Sequence, residues 1–299
     1  MKKGFFKFSL IYFFVVLILV IILFALNKGR KNEEYIEYLS LIQLSPQTPC
    51  QMMGYVIITE NNKVIVVDGG TEGDADNLIK YISEHGNKVD YWFITHLHND
   101  HAGALYKIVN TTDIEIDNIY VSANDKNWYI ENEPKRAKFS TDFIDMLSES
   151  RIKDKVRKPY LNEKIYFDNI GMEILGIRNP EILTNCGNNQ SMVVKFSYHD
   201  KSILFLGDTG VESEAKLLEY QREKLKSNIV QMAHHGQAGA DFELYKAINP
   251  ETCLFPTSDW IWNNYDGTLK IDETKEWVKK LNVKDIYVAK DGDQVIKIK

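Results

Sequence analysis

The chain has 299 residues, of which 44% are apolar and 26% charged, and its formal net charge is −6 at neutral pH. This composition excludes a disordered chain. The negative charge argues weakly against a general nucleic-acid binder, because such proteins usually carry a basic surface. Its three cysteines, Cys50, Cys186 and Cys253, are widely spaced and form no CxxC pair. Neither a disulfide framework nor a thiolate zinc site is therefore readable.

The chain begins with a long apolar segment. From Phe8 to Leu26 only Ser9 interrupts the apolar run. At about 1.5 Å per residue, a helix of this length nearly crosses about 30 Å of hydrocarbon. No small-residue cleavage site follows, so we predict a retained membrane anchor over residues 1–27 rather than a cleaved signal peptide. Basic residues flank both sides and give no orientation, but a first helix before a large domain favours an extracytoplasmic domain.

The rest of the chain predicts a polar linker over residues 28–48, with a short helix, and a folded domain over residues 49–299. Apolar periodicity and turn residues predict strands at 54–59, 63–68, 89–95, 117–123, 171–177, 227–233, 252–257, 285–290 and 294–299, and a hairpin over 191–208. Amphipathic helices are predicted at 74–86, 139–150, 211–225, 240–248 and 271–282. Strand hairpins interrupted by helices predict mixed sheets with helices outside.

The segment ITHLHNDHAG, residues 94–103, carries the densest chemistry. Side chains alternate in an extended segment, so His96, His98 and Asp100 share one face, and His101 turns in as a helix begins. Imidazole and carboxylate groups are costly to bury without partners, and they are good ligands for zinc and similar metals. The pattern therefore predicts a metal site rather than a solvated histidine-rich loop.

Two later segments carry further candidate ligands at predicted strand ends. FLGDTG contains Asp208, and MAHHG contains His234 and His235. With the HxHxDH motif, these segments resemble the metallo-β-lactamase superfamily over roughly residues 50–299. The sequences NNQSMVV, LGD and HHG are most similar to the hydrolase domain of ComEC-type DNA-uptake proteins and to secreted phosphorylcholine esterases.

The resemblance implies an αββα sandwich, an α/β fold of two mixed sheets flanked by helices, with two divalent metal ions between the sheets. Zinc is the expected metal, with manganese as the alternative. Carried over by position, the metal ligands are His96, His98, Asp100, His101, Asp208 and His235. The first two would hold one ion, Asp100, His101 and His235 the other, and Asp208 would bridge them. His235 is preferred to His234 because other members carry a Gly-His pair at this point.

The chain departs from the family pattern at the first metal site. A third histidine usually completes that site, but between Gly103 and Asp208 only His199 occurs. At about 3.3 Å per residue, the predicted hairpin places His199 roughly 25 Å from the site. Residues 188–191, NNQS, lie beside Asp208 instead. The first ion is therefore expected to be completed by water, an amide oxygen or substrate, and to bind more weakly.

The predicted activity is metal-dependent hydrolysis of a phosphodiester by a hydroxide held between two metals. Asp208 would orient the hydroxide, Asp100 would accept its proton, and His234 would donate to the substrate. Asn189 and Ser191 are expected to contact the substrate, which is DNA or a cell-wall polymer. The alternatives are a lactonase or β-lactamase and a metal-binding module without activity. We expect a single-pass membrane protein and predict no protein partner.

Overall fold

The computed structural model describes residues 38–299, which cluster as one unit. The predicted membrane anchor lies outside these residues. Among the residues described, no helix combines the length and apolar character needed to cross a bilayer.

Residues 38–299 contain fourteen strands and nine α-helices. The strands are β1 Leu39–Gln43, β2 Gly54–Ile58, β3 Val64–Asp68, β4 Lys88–Ile94, β5 Glu115–Val121, β6 Val156–Arg157, β7 Lys164–Phe167, β8 Ile170–Gly176, β9 Val193–Tyr198, β10 Lys201–Phe205, β11 Ile229–Gln231, β12 Thr252–Phe255, β13 Asp285–Val288 and β14 Gln294–Ile298. The helices are α1 Ala75–Glu84, α2 Asn99–Thr111, α3 Lys126–Asn132, α4 Ala137–Glu149, α5 Val211–Tyr220, α6 Arg222–Leu225, α7 Phe242–Ile248, α8 Asp259–Asn263 and α9 Ile271–Lys280.

The strands form two seven-stranded mixed sheets. The first has the order β14-β1-β2-β3-β4-β5-β6, and the second has the order β13-β12-β11-β10-β9-β8-β7. In each sheet an antiparallel part is followed by a parallel part: β3 to β6 in the first sheet and β10 to β13 in the second. Neighbouring parallel strands end at the same edge of their sheet. The loops after β4, β10 and β11 therefore bring their polar residues to the edge at which the parallel strands of each sheet end.

Three apolar clusters hold the layers together. The cluster between the sheets joins aromatic residues of both, and the Phe93 and Phe196 ring centroids lie 5.6 Å apart at 87°. A second cluster packs α1, α2 and α4 on the outer face of the first sheet, and a third packs α5 to α9 on the second. This layering confirms the predicted arrangement of two mixed sheets flanked by helices.

The structure corrects the predicted linker and domain boundary. Leu39–Gln43 is not linker or helix but strand β1, which pairs with both β2 and β14. Four of its five residues are buried. Its main partner lies at the other end of the chain, a contact that no local sequence pattern shows. The folded domain therefore begins before residue 49, and the prediction of a linker reaching residue 48 is wrong.

Glu214 on α5 makes the stability of the folded state depend on pH. Its side chain is buried, and burial is the main reason that its pKa rises from 4.5 to about 7. A carboxyl whose pKa is raised on folding favours the folded state below its unfolded pKa, and this contribution is lost as the pH rises towards 7 and above.

We therefore expect Glu214→Gln to stabilise the protein at pH 8 by about 1–3 kcal/mol and to have little effect near pH 4.5, because Gln carries no charge to bury. Urea unfolding at both pH values measures this. Glu219→Gln on the exposed face of α5 is the matched control. An equal effect of Glu214→Gln at both pH values would contradict the burial explanation.

Candidate metal centre

The HxHxDH segment forms the loop between β4 and α2. His98 precedes α2 in an extended conformation (φ −85°, ψ 149°), and His101 lies in the first turn of the helix. Asp68, at the end of β3, fixes this loop. Its carboxylate accepts hydrogen bonds from the Thr95 backbone N–H (2.7 Å) and hydroxyl (2.8 Å), and lies 2.7 Å from His101 Nδ1.

The second sheet brings Asp208 and the HHG segment to the same place. Asp208 follows β10, and His234 and His235 follow β11. Both histidines have left-handed backbone angles (φ 49° and 57°), which are uncommon for residues other than glycine. A strained backbone persists where the surrounding structure fixes it. Here His235 Nδ1 lies 2.9 Å from the Pro256 carbonyl oxygen, and the Thr257 hydroxyl donates a hydrogen bond to the His235 carbonyl.

Two ligand groups result, and the predicted ligands divide between them as the sequence indicates. The ligand atoms in each group lie within 4.8 Å of one another, and the groups are His96, His98 and Asp208, and Asp100, His101 and His235. The two groups meet at Asp208. Its oxygens lie 3.8 Å from His96 Nε2, 3.2 Å from His101 Nε2 and 3.7 Å from His235 Nε2. Ligands around a tetrahedral zinc ion are roughly 3.3 Å apart, which matches this spacing.

Unpaired buried atoms show that these residues fit a metal. Within residues 38–299, the Nε2 atoms of His96, His101 and His235 and Oδ1 of Asp208 are buried without a hydrogen-bond partner. Leaving such groups unpaired is costly, whereas divalent ions would satisfy all four. The other ring nitrogen of each histidine faces an outer polar atom, as metal-binding histidines require.

The electrostatics of the centre favour ionised carboxylates. Burial opposes ionisation of Asp208 and Asp100, but the neighbouring histidines outweigh it and hold the pKa of both carboxyls well below the usual range. Burial likewise lowers the pKa of His101 and His235, and the adjacent carboxylates, Asp208 first, raise it above the usual value. The centre thus sets ionised carboxylates against imidazoles, the two ligand types that zinc and similar divalent metals accept.

His234 occupies a different position from His235. Its Nε2 lies 3.8 Å from Asp208 Oδ2 and 3.3 Å from Asn188 Nδ2, and its Nδ1 is buried without a partner. Neither ligand group includes it. The structure thus places His235 with the ligands and His234 beside them.

Asn189 and Ser191, the predicted substrate contacts, make hydrogen bonds within the centre and the loop beside it. The buried Asn189 side chain accepts from Gly210 N–H and the Ser213 hydroxyl and donates to the Thr184 carbonyl, so it fixes the loop after Asp208. The Ser191 hydroxyl accepts from Asp208 N–H at 2.9 Å and lies 3.4 Å from His96 Nδ1. Both side chains hold the centre together, and their contact with substrate stays a prediction.

Sequence reasoning missed Glu133. Its Oε1 lies 3.0 Å from His98 Nε2. No motif surrounds Glu133, and it follows a helix, α3, that was not predicted. The preceding run, KNWYIEN, is short, and nothing in it indicates proximity to the metal loop.

The comparisons with known proteins decide the family. The model of the metallo-β-lactamase superfamily matches residues 48–256, more than half of the chain. The chain belongs to the metallo-β-lactamase superfamily. Membership supports the predicted metal-dependent hydrolase with bound divalent metal.

The individual relatives match only part of this chain or match it at low sequence identity. "Probable metallo-hydrolase YqgX" of Bacillus subtilis strain 168 is 35% identical over 83 residues, which are 28% of this chain and 36% of that protein. This chain therefore matches only about a third of that relative's length. Among solved structures, the metallo-β-lactamase fold protein YhfI of B. subtilis has a TM-score of 0.55 at 11% identity, covering 87% of this chain and 100% of that one. The diiron β-hydroxylase CmlA of Streptomyces venezuelae has a TM-score of 0.54 at 12% identity, covering 88% and 54%. These two likenesses concern the fold alone.

We expect added zinc or manganese to raise the melting temperature of the chelator-treated protein by roughly 5 °C or more, because ions that bind only the folded state stabilise it. Asp208→Asn should lose most of this rise, since Asp208 belongs to the first ligand group and lies 3.2 Å from His101 Nε2 and 3.7 Å from His235 Nε2 of the second. Asp200→Asn, in the exposed turn between β9 and β10, is the control. An undiminished rise in Asp208→Asn would refute the shared-ligand arrangement.

Proposed function

We propose that the protein is a membrane-anchored phosphodiesterase that uses two divalent metal ions, zinc in preference to manganese. The observation that carries the proposal is the pair of ligand groups that meet at Asp208, beside a cleft whose lining includes Lys135, Arg136 and Lys138. The apolar run from Phe8 to Leu26 supports the anchor and an extracytoplasmic domain. The likeness of NNQSMVV, LGD and HHG to ComEC-type domains and phosphorylcholine esterases supports DNA or a cell-wall phosphodiester as substrate.

The cleft adjoins the second ligand group through Asp100. It has a volume of about 630 Å³, and its lining includes three basic side chains, Lys135, Arg136 and Lys138, and three acidic ones, Glu72, Asp100 and Asp142. Lys138 pairs with Asp142 at 2.6 Å, whereas Arg136 lies 4.0 Å from its nearest carboxylate, Glu133. Arginine and lysine beside a metal centre suit a phosphate anion, and the net negative charge of the chain makes this local cluster more distinctive.

The same cleft offers an apolar wall. Tyr106 and Phe139 line it, with ring centroids 5.8 Å apart in an edge-on arrangement. An aromatic pair beside cations would accommodate an organic group attached to the phosphate. This combination favours a phosphodiester over a β-lactam or lactone.

The chain's own residues would divide the reaction between them. Bound metals would supply a lowered water pKa and charge stabilisation. Asp208 holds the two ligand groups together, and Asp100 is oriented by Gln51, whose Nε2 donates to Asp100 Oδ2 at 2.8 Å. We assign proton donation to the leaving oxygen to His234, whose Nε2 lies 3.8 Å from Asp208 Oδ2. The presence of all six predicted ligands in the two groups argues against a metal-binding module without activity.

We expect the metal-loaded protein to hydrolyse bis(p-nitrophenyl) phosphate. His234→Gln should lower kcat by roughly 100-fold because it removes a proton donor, while bound metal is unchanged. His199→Gln, in the exposed turn before β10, is the control and should match the wild type. Release of p-nitrophenol and elemental analysis of the same samples measure both quantities.

Two results would contradict these assignments. Loss of metal in His234→Gln would make His234 a ligand rather than a proton donor. Turnover of a lactone or β-lactam without turnover of any phosphodiester would transfer the proposal to the alternative hydrolase class.

We expect the triple variant Lys135→Gln, Arg136→Gln, Lys138→Gln to raise KM for an anionic diester by roughly tenfold, with kcat nearly unchanged, because it removes cleft charge without touching the ligands. The matched control replaces Lys279, Lys280 and Lys284, which are exposed on and after α9. The salt dependence of KM should also weaken only in the cleft variant. An identical KM in both variants would exclude the cleft as the phosphate-binding surface.

A further inference from the structure

Glu133 is a buried carboxylate that the proposed reaction does not use. Its side chain is nearly inaccessible, with 8% of the residue exposed, although its neighbours Pro134 and Lys135 are exposed. Oε1 lies 3.0 Å from His98 Nε2, and Oε2 is buried with no hydrogen-bond partner in the part of the chain that the structure describes. Burying a carboxylate is costly unless it is paired, so this placement requires a compensating interaction.

The structure makes space for this carboxylate at Gly187. A Cβ atom added at Gly187 would lie 2.1 Å from Glu133 Oε1 and 2.4 Å from Oε2. The backbone angles of Gly187 (φ −63°, ψ −45°) are ordinary helical values that any residue adopts. The backbone conformation at position 187 therefore does not require glycine. A larger residue there would instead collide with the Glu133 carboxylate.

The pairing of Glu133 with His98 repeats the pairing of Asp68 with His101. In both, a buried carboxylate lies within hydrogen-bond distance of one ring nitrogen and leaves the other ring nitrogen available as a ligand. In the first ligand group His98 has this support, whereas His96 Nδ1 faces only the hydroxyls of Thr95 and Ser191. Each ligand group therefore contains one histidine held by a carboxylate.

We propose that Glu133 is the positioning residue of the first metal site. It accepts a hydrogen bond from His98 Nε2–H and so fixes the tautomer in which Nδ1 is free to bind the ion. Its charge makes the imidazole a stronger ligand. This strengthens a site that lacks the third histidine usual at this place in the family.

The geometry favours positioning over direct ligation. Within residues 38–299, the two groups whose ligand atoms all lie within 4.8 Å of one another do not include Glu133. The proposal depends on the metal centre but not on the phosphodiester substrate, so it can fail or hold separately from the proposed function.

The test measures the affinities of both ions by competition with a chromophoric zinc chelator, using full-length protein. Glu133→Gln should weaken one of the two ions by about 10–100-fold and leave the other unchanged. Glu133→Ala should weaken it further, since glutamine keeps an acceptor oxygen and alanine does not. Glu131→Gln, an exposed glutamate on α3, is the matched control and should bind both ions like the wild type.

Gly187→Ala provides a second, independent variant. The added methyl group should displace the Glu133 carboxylate and weaken the same ion without changing the melting temperature of the metal-free protein. In the Glu133→Gln background it should add little, because the two changes act through one contact. Cobalt-substituted wild type and Glu133→Gln should also differ in their visible absorption, which reports the geometry around the ion.

The proposal is overturned if Glu133→Gln and Glu133→Ala bind both ions with wild-type affinity. It is also overturned if Gly187→Ala weakens metal binding equally with and without Glu133, because the glycine would then act by another route. A fall in the melting temperature of metal-free Glu133→Gln with unchanged ion affinities would assign Glu133 a purely structural role.

Discussion

The centre depends on one constraint, the burial of the Asp208 carboxylate among histidines that come from both sheets. His96 and His101 reach it from the first sheet, and His235 reaches it from the second. Several of the facing nitrogens lack any hydrogen-bond partner. The remaining features of the site, from the Asp68 bonds under the metal loop to the strained backbone of the HHG turn, serve to hold these groups in place.

The strands and helices nearest the centre could be predicted because their signals are local. The buried strand before His96 and the hairpin before Asp208 are runs of apolar residues closed by polar ones. Strand β1 could not be predicted, because its pairing with β14 joins opposite ends of the chain. Its apolar residues also fit a helical spacing, and only the pairing decides between the two.

The candidate ligands could be predicted from the sequence, but the residues that hydrogen-bond to them could not. Histidine and aspartate at strand ends are visible in the sequence, and the family resemblance orders them. The sequence could not show the backbone contacts of Asn189 and Ser191, because hydrogen-bonding side chains near a site look alike whether they face substrate or backbone. Glu133 carries no sequence signal, since its role arises only where the end of α3 meets the metal loop.

The central claim is that two ions share Asp208, one bound by each ligand group. The most direct test is elemental analysis of full-length protein purified without chelator, comparing the wild type with His98→Ala. The account predicts close to two metals per chain in the wild type and close to one in His98→Ala. One metal or none in the wild type, or an unchanged content in His98→Ala, would contradict it.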